Sequence, residues 1–166
     1  HSPHPSRTRL TPHALASPLT HSPHPSRTRL TSHAPVSRLD NVIVVLHKPQ
    51  DPINIGATVR AMKNMGVDKL RLVQPCPYDP WRIEGVAHGT RDVVAKIRHF
   101  DSLGEAVADC VKVAAFAGKR RAVKWPVATP RELAPVLLDA AADGPVALVF
   151  GQEDHGLPNE ALDRAQ

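Results

Sequence analysis

The sequence predicts an α/β fold built around a parallel sheet, and three observations carry that expectation. Two five-residue apolar runs, Val42 to Leu46 and Val146 to Phe150, lie between polar or turn residues. Such a run suits a strand and is short for a helix, and its lack of alternation marks a strand buried on both faces. Between them, Asn54 to Gly66 follows the helical period, with Ile55, Val59, Met62 and Met65 at helical spacing. A further strand at Lys69–Val73 completes strand, helix and strand within about thirty residues, the span of one βαβ unit.

The bulk properties narrow the class. The chain has 166 residues, enough for one domain. No apolar run approaches the ~20 residues that cross a membrane. Cys76 and Cys110 make neither a disulfide framework nor a metal spacing, so a reducing, cytoplasmic setting is expected. Six of the ten histidines (His1, His4, His13, His21, His24 and His33) precede residue 40 without ligand spacing, and no metal site is expected. The net charge of +5 suggests a nucleic-acid partner. Its distribution qualifies that. Residues 1–39 hold five arginines and no acid, which leaves 16 basic and 16 acidic groups in residues 40–166. Contact with RNA must therefore rest on a local cluster, and Lys119, Arg120, Arg121 and Lys124 supply one.

In chain order, residues 1–10 recur letter for letter at 21–30, in a segment rich in Pro, Ser, Thr and His. Residues 1–39 are expected to be a disordered tail, too poor in large apolar groups to offset chain entropy. The prolines also argue against an amphipathic transit peptide. Residues 40–166 form the expected domain. After the strand at Val42, a rigid loop leads to Asn54, read as the helix cap, and Gly66 marks the helix stop. Arg60 lies six residues past Asn54, and the two need not share a helix face. Pro75, Pro77 and Pro80 make an irregular passage before a short helix at Trp81–His88, another short element at Thr90–Lys96 and a brief strand at Ile97–Phe100. Asp101 or Ser102 caps a helix expected to reach about Asp109, followed by a strand at Val111–Phe116. Ala117-Gly118 opens the loop that carries the basic cluster to Trp125-Pro126. Thr129-Pro130-Arg131-Glu132 reads as a capping box with Pro at the first helical position, and Pro135 as a point where that helix could break before about Ala142. After Val146–Phe150 come Gly151, Glu153, Asp154, His155 and Gly156, and then a helix expected to open at Leu157-Pro158.

That last loop stands where parallel sheets bind ligands, at the carboxyl ends of the strands. By itself it is also an ordinary strand-to-helix connection. A flavodoxin-like nucleotide binder fits less well, because no phosphate-cradling glycine loop follows the first strand.

Two spaced motifs sharpen the reading. Asn54-Ile-Gly-Ala, with Arg60-Ala61 two residues on, follows one strand, and Leu148-Val-Phe-Gly-Gln-Glu-Asp-His-Gly-Leu157 spans a later one. Together they resemble the SpoU/TrmH family of RNA ribose 2′-O-methyltransferases, in the SPOUT superfamily of α/β-knot folds. Ala61 to Gly66, and Lys124-Trp-Pro ahead of Pro130-Arg-Glu, are similar to its TrmJ subgroup, which acts on the tRNA anticodon loop. The resemblance covers about residues 40–166.

The resemblance implies S-adenosyl-L-methionine as methyl donor, tRNA or rRNA as substrate and a homodimer as the working form. It implies Asn54, Arg60 and Glu153 as catalytic residues. Phe116, Ala117, Gly118, Gly151 and Leu157 would contact the cofactor, and Lys119, Arg120, Arg121 and Lys124 would bind RNA. Two departures stand out. Ala115-Phe116-Ala117 replaces the small hydroxyl residues common in relatives, and the family's third motif, a Ser-Leu-Asn segment that closes the knot, does not occur before Gln166. Those departures leave open a non-catalytic RNA-binding α/β-knot module.

Overall fold

The structure is a computed structural model that describes residues 38–117 and 127–158. The repeat-bearing tail through residue 37, Gly118, the basic residues Lys119, Arg120, Arg121 and Lys124, and all but the first residues of the helix expected after Leu157 lie outside the described residues. A 3-10 turn, Arg38–Asn41, opens the described part. The elements that follow are β1 (Val42–His47), α1 (Pro52–Asn64), β2 (Lys69–Val73), α2 (Pro80–Val86) and α3 (Arg91–Val94). Then come β3 (Arg98–Phe100), α4 (Leu103–Ala106), β4 (Lys112–Phe116), α5 (Pro130–Ala140) and β5 (Val146–Phe150).

The five strands form one parallel sheet in the order β3-β2-β1-β5-β4. The two apolar runs read from sequence are neighbours at its centre, with Val42 opposite Val146 and Leu46 opposite Phe150. Every residue of β1 is buried, which explains why that stretch shows no polar alternation. One face of the sheet packs Val42, Val44 and Leu46 against α1, α2, α3 and α5 through Ile55, Val59, Ile83, Val93 and Leu137. The other face packs Ile43, Val45 and Val149 against Leu103, Ala106, Val107 and Leu157.

Helix ends follow the local chemistry, with two corrections. Asn54 is not the cap of α1. Asp51 holds that place, its carboxylate accepting from the Ile53 N–H at 2.8 Å, because Pro52 is pre-set for the first helical position and has no N–H to satisfy. Asn54 thus becomes the third helical residue. Gly66, at a φ of 73°, ends α1 in a Schellman motif: Val67 N–H donates to the Met62 carbonyl at 2.9 Å and Gly66 N–H to Lys63 at 3.3 Å. The Thr129–Glu132 capping box forms as read, and α5 runs through Pro135 unbroken to Ala140. The cap at Ser102 also forms, but α4 stops at Ala106 and the chain reaches Asp109 through turns.

Asp109 has a structural use that ends the helix early. Arg71, on β2, is buried, and its guanidinium donates to both Asp109 oxygens, at 2.7 Å on one arm, and to the Ala106 carbonyl at 2.6 Å. This hydrogen bonding from Arg71 holds the Asp109 carboxyl down at about 2. Asp109→Ala is expected to cost about 2 kcal/mol in chemical denaturation, toward the low side for a broken buried pair because Asp109 is half exposed. With a depressed carboxyl, the contribution is present above the ordinary carboxylate range and is lost as pH falls toward 2. A denaturation series from pH 6 to pH 2 should show the difference between parent and variant shrinking with acid.

Candidate active site

Parallel strands deliver their following loops to one edge, and here three such loops meet. Lys48, just after β1, takes a φ of 53° and donates its N–H to the Val73 carbonyl at the end of β2, at 2.7 Å. Gln74, just after β2, repeats the device one strand over, with a φ of 45° and a 3.1 Å bond from its N–H to the Phe100 carbonyl. Non-glycine residues are uncommon in this left-handed region, and strain of this kind gathers at functional sites. Cys76 N–H then donates to the Pro49 carbonyl at 2.9 Å, tying the two loops together.

The loop after β5 closes on them from the other side. Gln152 and Gly156 exchange backbone hydrogen bonds at 3.2 and 2.9 Å across a tight turn. At Gly151 a Cβ would stand 2.1 Å from the Gly156 carbonyl carbon and 2.3 Å from the Leu157 nitrogen. The glycine is therefore required by the chain's own close approach. Gly156 has a φ of 70°, which glycine adopts without penalty. This turn presents Glu153, whose carboxylate accepts from the Gln50 N–H at 3.1 Å and from Asn54 Nδ2 at 3.0 Å. Partial burial alone would raise the Glu153 carboxyl; the bonds from Asn54 and from backbone N–H groups outweigh it and hold the group below its ordinary range. Beside it, His155 Nδ1 lies 2.7 Å from Asp154 and lowers that carboxyl too.

The structure thus joins two of the three catalytic residues expected from sequence. Asn54 and Glu153 are hydrogen-bonded; Arg60 is not part of that contact. Six helical steps turn Arg60 about 120° away from Asn54 around the α1 axis. Its side chain is exposed and has no hydrogen-bond or ion-pair partner among the described residues. Of the expected cofactor residues, Phe116 stacks on Phe150, its register partner, with ring centroids 4.8 Å apart and planes 9° from parallel. The Leu157 side chain is buried in the core, so only its backbone can meet a ligand. Ala117 is exposed at the end of β4, and Gly118 lies outside the described residues. Sequence reading missed Gln50, whose N–H completes the grip on Glu153, and His47, whose buried Nδ1 has no hydrogen-bond partner. Burial, with Lys48 beside it, lowers the His47 pKa. Among the described residues no group of three or more His, Cys, Asp or Glu could hold a metal ion.

In this all-parallel sheet the order of the strands reverses between β1 and β5, and the Asn54 and Glu153 loops flank that point, where open α/β domains bind their ligands. The model of the SpoU rRNA Methylase family matches residues 41–166, and the chain belongs to that family. It is 43% identical over 129 residues to the tRNA (cytidine/uridine/adenosine-2′-O-)-methyltransferase TrmJ of Pseudomonas aeruginosa (strain UCBPP-PA14), covering 77% of this chain and 50% of that protein. With the tRNA (cytidine/uridine-2′-O-)-methyltransferase TrmJ of Escherichia coli (strain K12) it shares 38% identity over 126 residues, 76% of this chain and 51% of the relative. The chain spans about half the length of the curated relatives it matches. Among solved structures, TrmJ from Z. mobilis ZM4 superposes with a TM-score of 0.67 at 36% identity, covering 74% of this chain and 55% of that one. A probable methylase family protein from Haemophilus influenzae Rd KW20 gives 0.70 at 36%, covering 76% and 53%. The sheet and its neighbours agree with the parallel SPOUT-type fold expected from the motifs.

Proposed function

We propose that this chain forms the catalytic domain of an S-adenosyl-L-methionine-dependent RNA ribose 2′-O-methyltransferase, with tRNA as the substrate and the anticodon loop as its target. The observation that carries the reading is the grip of Glu153 on Gln50 and Asn54, which fixes the β5 loop against the start of α1. The residues at the strand ends fit the cofactor. Phe116 is held against Phe150 and the core, and Phe150, 37% exposed, offers ring surface beside the β5 loop. The Gly151–Leu157 backbone and Ala117, with Gly118 following, would hold the ligand. The sulfonium methyl of S-adenosyl-L-methionine supplies the group to be displaced in line, and no metal is required.

The chain's own residues divide the remaining work. A ribose hydroxyl is a weak nucleophile until its alkoxide is favoured. A guanidinium offers donors and no acceptor, so Arg60 acts through charge, holding the neighbouring phosphate and stabilising the oxygen as its proton leaves. Glu153 is already committed to Gln50 and Asn54 and is held below its ordinary range, which makes it a poor base. Its place is to position Asn54 and the loop. Lys119, Arg120, Arg121 and Lys124 would meet RNA phosphates, and the working form would be a cytoplasmic, knotted homodimer. Among the described residues no helix is long and apolar enough to cross a membrane.

Calorimetry with S-adenosylhomocysteine and filter binding with tRNA test this reading, on the chain as given and on a version extended to the length of its relatives. Binding of both ligands, with 2′-O-methyl groups appearing in the tRNA, supports it. RNA binding without any cofactor binding would instead assign a non-catalytic RNA-binding module. Glu153→Gln keeps the size but removes the charge and one of the two acceptor oxygens, leaving a neutral amide to accept from Asn54 and Gln50. Turnover is expected to fall about tenfold, the scale of one lost charged hydrogen bond, while tRNA affinity holds. Unchanged turnover would remove Glu153 from the positioning role.

A further inference from the structure

Trp81 is 68% exposed on α2, an unusual setting for the largest apolar side chain. The Arg82 guanidinium carbon lies 5.9 Å from its ring centroid, so a cation already sits over part of an otherwise open aromatic surface. The segment that presents the pair is fixed at several points. Pro75, Pro77 and Pro80 restrict the backbone, and Cys76 is bonded to Pro49 in the loop that holds Gln50. Tyr78 stacks on His99 and meets its Nε2 at 2.8 Å. Ile83 is fully buried, and the bare face of Gly56 lets Val86 approach α1 closely. A backbone held this way has little main-chain entropy left to lose when the ring is engaged.

The charges around it favour a phosphate-bearing partner without creating a strong field. Glu84 is paired with Arg91 at 3.2 Å and Asp92 with Lys63 at 2.5 Å. Arg82 and Arg60 have no carboxylate partner among the described residues, while Asp79 stands at the start of α2. Recognition would therefore come from the ring face and the guanidinium, the combination that holds unpaired bases irrespective of sequence.

We infer that Trp81 and Arg82 form a stacking platform for an unpaired RNA base flanking the nucleotide at the Asn54–Glu153 site. The inference rests on the RNA-methyltransferase reading and adds a contact outside the family motifs.

The chain has two tryptophans, Trp81 and Trp125, so a Trp125→Phe variant reports Trp81 alone. That variant is titrated with an unpaired ten-nucleotide RNA and with an RNA duplex of equal charge, following emission and anisotropy. The unpaired RNA is expected to quench Trp81. Adding Trp81→Ala should weaken unpaired RNA about tenfold, and the duplex little. Trp81→Phe should retain most of the affinity, and Arg82→Ala should lose a smaller factor. Equal affinity of Trp81→Ala and its parent for unpaired RNA overturns the platform while leaving the RNA reading intact. A parent that binds neither RNA overturns both. Trp81 emission that responds to protein concentration and not to RNA overturns it in favour of a contact between protein chains.

Discussion

Arg60→Ala is expected to lower methyl transfer by about 10²–10³-fold, the scale of losing a preorganised donor at a developing oxyanion. Affinity for S-adenosylhomocysteine should stay within about twofold, since the cofactor residues proposed here lie at the ends of β4 and β5, not on α1. The contrast follows from where Arg60 stands. Ile55, Val59 and Met62 turn the apolar stripe of α1 inward, and Arg60 remains on the exposed side without a partner among the described residues. Truncating it leaves no buried group unpaired, so stability should change by no more than about 0.5 kcal/mol. Loss of turnover then cannot be ascribed to unfolding. Arg60→Lys keeps the charge but not the planar fork, and should recover only part of the rate. Single-turnover methylation with saturating RNA measures the effect, and near-normal rates in Arg60→Ala would exclude the residue from the chemistry.

What the sequence disclosed was mostly local. The buried strands at Val42 and Val146 were legible because five apolar residues between polar boundaries leave few alternatives, and Gly66 and Thr129 were legible because their roles are settled within a few residues. The cap of α1 was misplaced for a local reason too: Asp51-Pro52 competes with Asn54, and proline's fixed backbone decides the contest. The pairings that build the site were of another kind. Asn54 and Glu153 are 99 residues apart, and only the central placing of β1 beside β5 brings their loops together. The motifs named both residues without showing that they touch. Nothing in the sequence links Arg71 to Asp109, 38 residues on. Such partners depend on strand order, which periodicity does not encode.

Gly151→Ala is expected to lower stability by about 3 kcal/mol, the upper part of the range for forcing extra atoms into a packed site. The added methyl would meet backbone, at 2.1 to 2.4 Å from Gly156 and the Leu157 nitrogen, so no rotamer change can relieve it. Two relaxations are open to the chain. Either the Gln152–Gly156 turn opens, or Leu157 withdraws from its place beside Val45 and Val149. Both move Glu153 away from Gln50 and Asn54. The carboxyl would then lose the hydrogen bonds that hold it down and should rise toward the ordinary carboxylate range. In the parent, a depressed Glu153 favours the folded loop above that range and ceases to do so as pH falls through its own lowered value. The variant should lose that dependence, which a carbon-detected titration of Glu153 can read beside thermal melts. Gly66→Ala serves as the control. Its φ of 73° costs a side chain roughly 1–2 kcal/mol, but at the end of α1 away from the Glu153 contact. An unshifted Glu153 carboxyl in Gly151→Ala would mean that the turn, and with it the grip on Asn54, does not depend on this close approach.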